Sequence, residues 1–331
     1  MKNSDRLLAL LKASGKGHVS GEEISKDLGI TRSGVWKEIQ ALKALGYGVS
    51  ALTHRGYRLL SVPDKLFADE IQYGLKARII GKRIFSYEEL GSTNSAATRL
   101  GEEGFAEGVC VFAEHQKKGR GRLGRVWNSP KGQGILLSVL LRPRLAPSEV
   151  SRLTLMAALG VIRAIENVTG LKPRVKWPND VVYAGRKLCG ILTEMSGEID
   201  RVRYVVLGIG LNVNTKLKDL PPGSVSLRHL LGKKVSRAAL ARRLLEEIES
   251  HYLRLGKDRF EGVADEWETL SETTGQRVSV RTPGRTIHGL AAGIDADGAL
   301  WIRHDNGLRE RILSGDVERL RPERAAAEKK K

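Results

Sequence analysis

The chain has 331 residues, of which 41% are hydrophobic and 28% are charged, and its formal net charge at pH 7 is +18. Its length favours two or three domains. It has neither an apolar run long enough to span a membrane nor the features of a signal peptide, so we expect a cytoplasmic protein. The positive charge predicts a polyanionic partner such as nucleic acid or a nucleotide, although a general preference for basic residues would also explain it.

The first block of the chain, residues 1–62, is predicted to form three helices followed by a β-hairpin. Leucines recur on one face of a helix over 4–13, and Ser20 begins a second helix that ends at Gly29. A third helix follows, and after Gly46 the apolar residues alternate, which predicts a hairpin. Two short helices joined by a glycine turn, with a hairpin directly after the second of them, indicate a winged helix-turn-helix.

The third helix of this block has one apolar face and one polar, cationic face. Val35, Ile39 and Leu42 recur at helical spacing and are predicted to be buried, while Thr31 or Ser33 can cap the helix. Arg and Lys on the other face can reach guanine or phosphate in a DNA major groove, and Gln can reach adenine. With the basic tip of the wing, the predicted DNA-binding residues are Arg32, Ser33, Trp36, Lys37, Gln40, Lys43 and Arg55. A protein–protein module is the alternative interpretation.

The second block, residues 63–271, mixes strand and helix patterns. Apolar, strand-like runs lie at 108–114, 134–141, 174–177, 187–194 and 203–211. Helical patterns lie at 148–168, 236–255 and 262–270. Strands and helices mixed in this way indicate an α+β domain with a mixed sheet.

The third block, residues 272–321, is predicted to be rich in β-structure. Turn signals at 282–284, 295–298 and 305–307 divide it into about five short strands. This pattern predicts a small barrel like an SH3 fold. The last residues, 322–331, are expected to form a flexible, solvated tail.

The strongest chemical signal is the segment 118–127, which we call the arginine segment. It has four cations and three glycines in ten residues and ends in an aromatic residue. Glycine lets the backbone approach a bound group, and arginine offers a planar fork to phosphate or carboxylate. We expect the segment to be poorly ordered when empty and to be ordered by an anionic ligand. A surface linker is the alternative, but predicted strands flank the segment on both sides.

Four further segments are candidates for a ligand site. KWPND at 176–180 ends a strand in a rigid turn that can present an amide and a carboxylate. GRKLCGIL at 185–192 opens an apolar strand with a lysine, and GSTN at 91–94 places hydroxyls at a helix start, which suits an anion. GIGLNVN at 208–214 lacks the third glycine of a dinucleotide-binding motif and continues as a strand, so we reject a Rossmann fold. Glycines within a strand still imply close approach of a ligand or backbone.

Together, and in this order, these segments resemble the biotin protein ligase family. The matching strings are GSTN, GRGRLGRVW, KWPNDV, GRKLCGIL and GIGLNVN. The helix-turn-helix before them and the small barrel after them resemble the longer, bifunctional members, which are also biotin operon repressors. The resemblance implies an α+β architecture: a winged helix-turn-helix, a central mixed-sheet ligase domain of the class II aminoacyl-tRNA synthetase type, and an SH3-like C-terminal domain.

The resemblance implies a reaction in two steps. The carboxylate of biotin attacks the α-phosphate of ATP, which gives biotinyl-5′-AMP and pyrophosphate. A lysine of a biotin carboxyl carrier protein, usually that of acetyl-CoA carboxylase, then displaces AMP. ATP with Mg²⁺ is thus a co-substrate, the ligands of the Mg²⁺ are left open, and no permanently bound cofactor is expected.

The resemblance also implies site residues by position. Biotin would contact Ser92, Thr93, Asn94, Gln116, Arg120, Gly121, Arg122 and Lys187. The nucleotide would contact Arg120 and Arg122, Trp127 through stacking on adenine, Asn179 and Asn212. The catalytic residues would be Arg120, Lys187 and Asp180.

Regulation follows from the same resemblance. Biotinyl-5′-AMP would act as corepressor, and the homodimer that forms with it would bind a palindromic operator. Two alternatives stay open: a transcription factor that senses biotin without chemistry, and a related ligase that uses lipoate. The retained arginines and lysine argue against the first, and the GRGRxGRxW string argues against the second.

Overall fold

The computed structural model describes residues 3–52, 55–257 and 260–320. Contacts divide the chain into two compact units, the first ending at Tyr73 and the second beginning at Gly74. Within the described ranges, no helix is long and apolar enough to cross a membrane. The predicted tail at 322–331 lies outside the described residues.

The first unit begins with the three predicted helices. They are α1 (Asn3–Ala13), α2 (Gly21–Leu28) and α3 (Arg32–Ala44). The hydroxyl of Ser20 accepts a hydrogen bond from the backbone N–H of Glu23 and so caps α2, and Thr31 caps α3 in the same way. Gly29 ends α2 in the left-handed conformation, at φ 66°, which glycine adopts without strain. The predicted helix-turn-helix is therefore confirmed.

The predicted hairpin follows α3 directly. It consists of β1 (Gly48–Leu52) and β2 (Gly56–Ser61), which pair antiparallel. Residues 53 and 54 between the strands lie outside the described residues. The position of the hairpin after α3 is that of a wing.

The first unit continues beyond residue 62, the predicted end of its domain, into the short helix α4 (Ala68–Gln72). Glu70 of α4 is buried, and its carboxylate accepts hydrogen bonds from Tyr47 Oη and Lys12 Nζ, each at 2.7 Å. Phe67, just before α4, packs against the buried core of the three helices. These contacts attach α4 to the winged helix, which the local sequence pattern did not predict.

The second unit is built on a mixed seven-stranded sheet. Its strands lie in the order β3 (Ile84–Tyr87), β4 (Cys110–Ala113), β5 (Ile135–Leu141), β9 (Val202–Leu211), β8 (Arg186–Gly197), β7 (Asp180–Tyr183) and β6 (Arg174–Lys176). Strands β3 and β4 are parallel, and the other neighbours are antiparallel. The prediction of a mixed sheet is confirmed, although the short strands β3 and β7 were not predicted.

The second unit also contains helices. They are α5 (Thr93–Glu102), α6 (Ser151–Thr169), α7 (Leu227–Leu231), α8 (Arg237–Lys257) and α9 (Glu261–Thr269). Helix α5 contacts the central strands β4, β5 and β9, while α6 contacts β6, β7 and β8 and packs against α8 and α9. The predicted helix over 148–168 starts later, at Ser151, because residues 147–149 form a 3₁₀ turn that begins with proline.

The end of the described chain forms a five-stranded antiparallel sheet. Its strands lie in the order β13 (Arg309–Ile312), β12 (Leu300–Arg303), β11 (Arg285–Ile294), β10 (Arg277–Thr282) and β14 (Asp316–Arg319). The described strands form an open ladder with β13 and β14 at its ends, which is compatible with the predicted SH3-like barrel. This sheet belongs to the same compact unit as the central sheet.

One buried carboxylate holds the start of the second unit against α8. The carboxylate of Glu249 accepts hydrogen bonds from the backbone N–H groups of Arg78, Ile79 and Ile80 at 2.6, 2.6 and 2.7 Å. Hydrogen bonds to a charged group in a buried site are stronger than neutral ones. Glu249 therefore fixes a segment that has no regular secondary structure of its own.

We expect Glu249→Ala to lower the free energy of unfolding by about 3 kcal/mol, because three backbone donors lose a charged acceptor. Urea unfolding of the full chain measures the loss. Glu102→Ala, at an exposed position of α5, is the matched control and should change the free energy by less than about 0.5 kcal/mol. Equal losses for the two variants would contradict this role of Glu249.

Candidate functional site

A cavity of about 280 Å³ lies where the arginine segment meets the central sheet. Strands β7, β8 and β9, the start of α5 and the last strand of the C-terminal sheet all contribute side chains to it. The predicted site residues that line it are Ser92, Thr93, Asn94, Gln116, Arg120, Gly121, Arg122, Trp127, Asn179, Asp180 and Lys187. A second cavity of about 220 Å³ adjoins it and shares Arg122, Pro178 and Asn179.

The arginine segment folds back on itself at the mouth of the cavity. The N–H of Gly121 donates to the carbonyl of Arg125 at 2.7 Å, and the N–H of Trp127 donates to the carbonyl of Gly119 at 3.0 Å. A Cβ on Gly119 would lie 2.2 Å from the carbonyl oxygen of Trp127, so a larger residue could not occupy this position without moving the backbone. Glycine at 119 thus permits the close return of the chain.

Two arginines of the segment contact the C-terminal sheet and the loop before its last strand. Arg122 donates to Ser314 Oγ at 2.6 Å and to Asn179 Oδ1 at 3.2 Å, while Arg125 forms an ion pair with Asp316. Burial lowers the pKa of Arg122, although the nearby Asp316 carboxylate acts in the opposite direction. The C-terminal sheet therefore anchors the segment over the cavity.

Arg120 is held by a carboxylate of the central sheet. Its guanidinium donates to Oε1 and Oε2 of Glu194 at 3.0 and 2.9 Å. Glu194 lies on β8, and its Oε2 also accepts a hydrogen bond from Asn94 Nδ2 at 2.6 Å. Asn94 is buried, and its amide also donates to the carbonyl of Leu192. The amide of Asn94 is thus engaged by the protein itself.

A hydrogen-bonded wall joins the start of α5 to strand β5. Gln116 Oε1 accepts from the N–H of Thr93 at 2.6 Å and from its hydroxyl at 3.0 Å, so Gln116 caps this helix, whereas the side chain of Ser92 makes no capping bond. Ser138 Oγ lies 2.8 Å from Thr93 Oγ1 and donates to Asn94 Oδ1 at 2.6 Å. Ser138 is fully buried and makes the wall rigid.

Trp127 packs on the glycines of two neighbouring strands. A Cβ on Gly210 would lie 2.4 Å from Trp127 Cε2, and a Cβ on Gly190 would lie 3.0 Å from Trp127 Cζ3. Lys187 Nζ lies 5.7 Å from the centroid of the indole, within the range of a cation–π contact. The glycines of β8 and β9 are therefore needed for close approach, as the sequence predicts.

Lys187 and Asp180 form an ion pair inside the site. Lys187 Nζ lies 2.7 Å from Asp180 Oδ1, and the two side chains are 35% and 22% exposed. Asp180 opens β7 directly after the turn at 177–179, and Asn179 Nδ2 donates to the carbonyl of Ile191 at 2.7 Å. The turn thus presents both polar side chains toward β8, which carries the lysine.

The cavity carries an excess of positive charge. Of the residues that the structure describes, six cations line it: Arg120, Arg122, Arg125, Lys176, Lys187 and Arg281. Three carboxylates from the same described ranges line it: Asp180, Asp316 and Glu318. An anionic ligand, or a ligand with several anionic groups, suits this arrangement.

The sequence missed part of this arrangement, and one predicted residue lies elsewhere. Asn212 is buried, its backbone bonds to Leu188 and Leu227, and it is absent from the described residues that line the cavity. Glu194, Ser314 and Asp316 contact the arginine segment but lie far from it along the chain. The sequence could have indicated Ser138, since a single polar residue in the apolar run ILLSVLL needs a buried hydrogen-bond partner.

The predicted DNA-binding surface of the first unit is largely exposed. Val35, Ile39 and Leu42 are buried on the other face of α3, as predicted. Trp36 is 56% exposed, and Gln40 is half-buried. The remaining exposed residues of the predicted surface are Arg32, Ser33, Lys37, Lys43 and Arg55.

Comparisons with protein families agree with this division of the chain. Residues 89–212 match the biotin/lipoate A/B protein ligase family. Residues 273–320 match the biotin protein ligase C-terminal domain, and residues 4–58 match a helix-turn-helix domain. The first of these matches contains most of the residues that line the cavity.

Relatives and solved structures match over most of the chain. The bifunctional ligase/repressor BirA of Bacillus subtilis is 38% identical over 94% of this chain and 97% of its own length. The bifunctional ligase/repressor BirA of Escherichia coli is 30% identical over 94% of this chain and 95% of its own length. The biotin protein ligase of Aquifex aeolicus, solved in complex with biotin and ATP, is 28% identical, has a TM-score of 0.63, and matches over 72% of this chain and 100% of that chain. The chain therefore belongs to the family of bifunctional biotin protein ligases and repressors.

Proposed function

We propose that this chain joins biotin to AMP in the cavity beneath the arginine segment and then transfers biotin to a lysine of a biotin carboxyl carrier protein. The observation that carries the proposal is the position of Lys187 and of the arginine segment on one cavity with an excess of cations. The family of the chain and the ligands named for the Aquifex aeolicus structure support biotin and ATP as substrates.

The first step brings together two anions. An oxygen of the biotin carboxylate forms a bond to the α-phosphorus of ATP, and the bond from that phosphorus to the bridging oxygen breaks, which releases pyrophosphate. Negative charge then develops on the leaving group. Fixed cations lower the barrier of such a step, because they are already oriented when the charge develops.

The side chains of the cavity divide between the two anions. We assign Arg120 and Arg122 to the carboxylate of biotin and the α-phosphate of ATP. We assign Lys187, whose Nζ lies 2.7 Å from Asp180 Oδ1, to the oxygens between these two groups. The cavity offers hydroxyl and amide groups to the polar ring of biotin, from Ser92, Thr93 and Gln116. Asn94 is hydrogen-bonded to Ser138 and supports these groups from behind. Gly121 lets the backbone come close, and Trp127 provides the surface for adenine stacking.

Mg²⁺ would enter with ATP. Within the described ranges, no group of three or more His, Cys, Asp or Glu side chains is placed to hold a metal ion. Asp180 and Asn179 offer oxygen donors in the cavity, which is the donor type that Mg²⁺ prefers, and the phosphates supply further oxygens. The ion would neutralise charge on the phosphates when bound.

The second step requires a protected intermediate. The amine of the carrier lysine forms a bond to the acyl carbon of biotinyl-5′-AMP, AMP leaves, and the amine loses a proton. Water would attack the same carbon, so the arginine segment must cover the intermediate until the carrier arrives. The contacts of Arg122 and Arg125 with the C-terminal sheet hold the segment in the covering position.

We further propose that the first unit binds operator DNA as a repressor, with biotinyl-5′-AMP as corepressor. The exposed cationic face of α3 and Arg55 near the tip of the wing support DNA contact. A homodimer that forms when the ligand is bound would present two such helices to a palindromic operator. Because ATP, the carrier and operator DNA occur together inside the cell, we propose that the protein acts in the cytoplasm.

Pyrophosphate release distinguishes this proposal from two other functions, a biotin sensor without chemistry and a lipoate ligase. A pure biotin sensor would bind biotin without releasing pyrophosphate from ATP. A lipoate ligase would release pyrophosphate with lipoate in preference to biotin. The cations that line the cavity favour chemistry over sensing, since a sensor of one small carboxylate has no need of so many.

We expect Asp316→Ala to make the arginine segment about two- to fivefold more susceptible to trypsin, because Arg125 loses its ion pair with the C-terminal sheet. Mass spectrometry of the early fragments measures cleavage within 117–125. Asp305→Ala removes the exposed ion pair with Arg277 on the same sheet and should leave this cleavage unchanged. Equal cleavage of the segment in both variants would show that Asp316 does not anchor it.

We expect Arg120→Ala and Lys187→Ala each to reduce pyrophosphate release from biotin and ATP by about 10²- to 10³-fold, since each removes a fixed cation from the reacting anions. A coupled phosphate assay and biotinylation of a carrier fragment measure the effect. Lys172→Ala removes an exposed cation elsewhere in the same unit and should keep full activity. Unchanged biotinylation by both site variants would remove these assignments.

We expect operator affinity to rise when biotin and ATP are both present, because the ligand-bound dimer contacts two half-sites. Lys37→Ala should weaken binding in either state and reduce the slope of log affinity against log salt by about one for each phosphate that the lysine neutralises. Filter binding over a range of salt concentrations measures both effects, with Lys172→Ala as the control. Identical footprints with and without the two ligands would refute the corepressor role.

A further inference from the structure

The ion pair between Arg120 and Glu194 connects the arginine segment to the central sheet. Arg120 donates to both carboxylate oxygens, at 3.0 and 2.9 Å. Within the described part of the chain, Glu194 is the carboxylate that pairs with Arg120. The two side chains are 46% and 37% exposed, so the pair is partly screened by solvent, and its geometry matters more than its energy.

Glu194 is itself held by a chain of buried hydrogen bonds. Asn94 Nδ2 donates to Glu194 Oε2 at 2.6 Å, and Asn94 Oδ1 accepts from the buried hydroxyl of Ser138 at 2.6 Å. Asn94 is 4% exposed and Ser138 is 0% exposed. A carboxylate fixed in this way places its arginine partner in a defined position.

Arg120 borders two spaces, whereas Glu194 borders one of them. Arg120 lines both the cavity and a groove along the arginine segment, while Glu194 lines the groove and is absent from the described residues that line the cavity. We therefore expect Glu194 not to touch a ligand in the cavity directly. An effect of Glu194 on the reaction must pass through Arg120 or through Asn94.

We propose that Glu194 is the positioning residue that sets Arg120 for the phosphate of the acyl-adenylate, an inference that rests on the proposed function. Arginine has several rotatable bonds, and Arg120 stands between Gly119 and Gly121. Without a partner, this side chain would lose conformational entropy each time that it bound an anion. Glu194 removes that cost before the ligand arrives, and it links Arg120 to the wall that faces biotin.

The variant that tests the proposal is Glu194→Gln. The carbonyl oxygen of glutamine, in the place of Oε2, can still accept from Asn94 and Arg120, but the negative charge and the acceptor in the place of Oε1 are lost. We expect the KM for ATP in pyrophosphate release to rise up to about tenfold, because Arg120 must then be ordered when ATP binds, while kcat changes much less. Glu194→Asp keeps the charge and should restore part of the effect.

The matched control is Glu198→Gln, the same chemical change at an exposed position in the turn after β8. It should leave both KM and kcat unchanged. A double-mutant cycle separates positioning from a general structural role. In an Arg120→Ala background, Glu194→Gln should have no further effect on the KM, because the side chain through which it acts is gone.

An unchanged KM for ATP in Glu194→Gln would overturn the inference. It would also be overturned if Glu194→Gln raised the KM by the same factor in the Arg120→Ala background as in the parent chain. Both outcomes presuppose a parent chain that releases pyrophosphate from biotin and ATP. A parent chain without this activity would overturn the proposed function, and the inference with it, so the two failures are distinguishable within one assay.

Discussion

Repulsion between a carboxylate and a triphosphate is the constraint on which the organisation of the second unit depends. The two groups must come within bonding distance, and charge then develops on the leaving pyrophosphate. Among the described residues, six cations line the cavity against three carboxylates, and they are carried by the arginine segment, by the central sheet and by the C-terminal sheet. Because these cations are held before the ligand arrives, little reorganisation is needed during the reaction.

Four of these cations are fixed by partners within the protein. Glu194 holds Arg120, Ser314 and Asn179 hold Arg122, Asp316 holds Arg125, and Asp180 holds Lys187. The glycines at 190 and 210 let the indole of Trp127 rest on the backbone of the sheet. The C-terminal sheet and the loop before its last strand are thus part of the site, since without them Arg125 would lose Asp316 and Arg122 would lose Ser314.

The sequence predicted the elements whose signals are local. The caps at Ser20 and Thr31, the apolar face of α3 and the order of the motifs around the cavity could all be read from neighbouring residues. Partners distant in the chain could not, because Glu194 lies 74 positions from Arg120 and Asp316 lies 191 positions from Arg125. Strands of four residues, such as β3 and β7, are too short to show a clear period.

Hydrogen–deuterium exchange of the full chain shows whether biotin and ATP bind beneath the arginine segment, since it reports which backbone amides a ligand protects. We expect slower exchange in the arginine segment and along 187–194 when biotin and ATP are added together, with a smaller change for either one alone. Exchange in the arginine segment that is the same with and without both ligands, or protection confined to other parts of the chain, would contradict binding at this cavity.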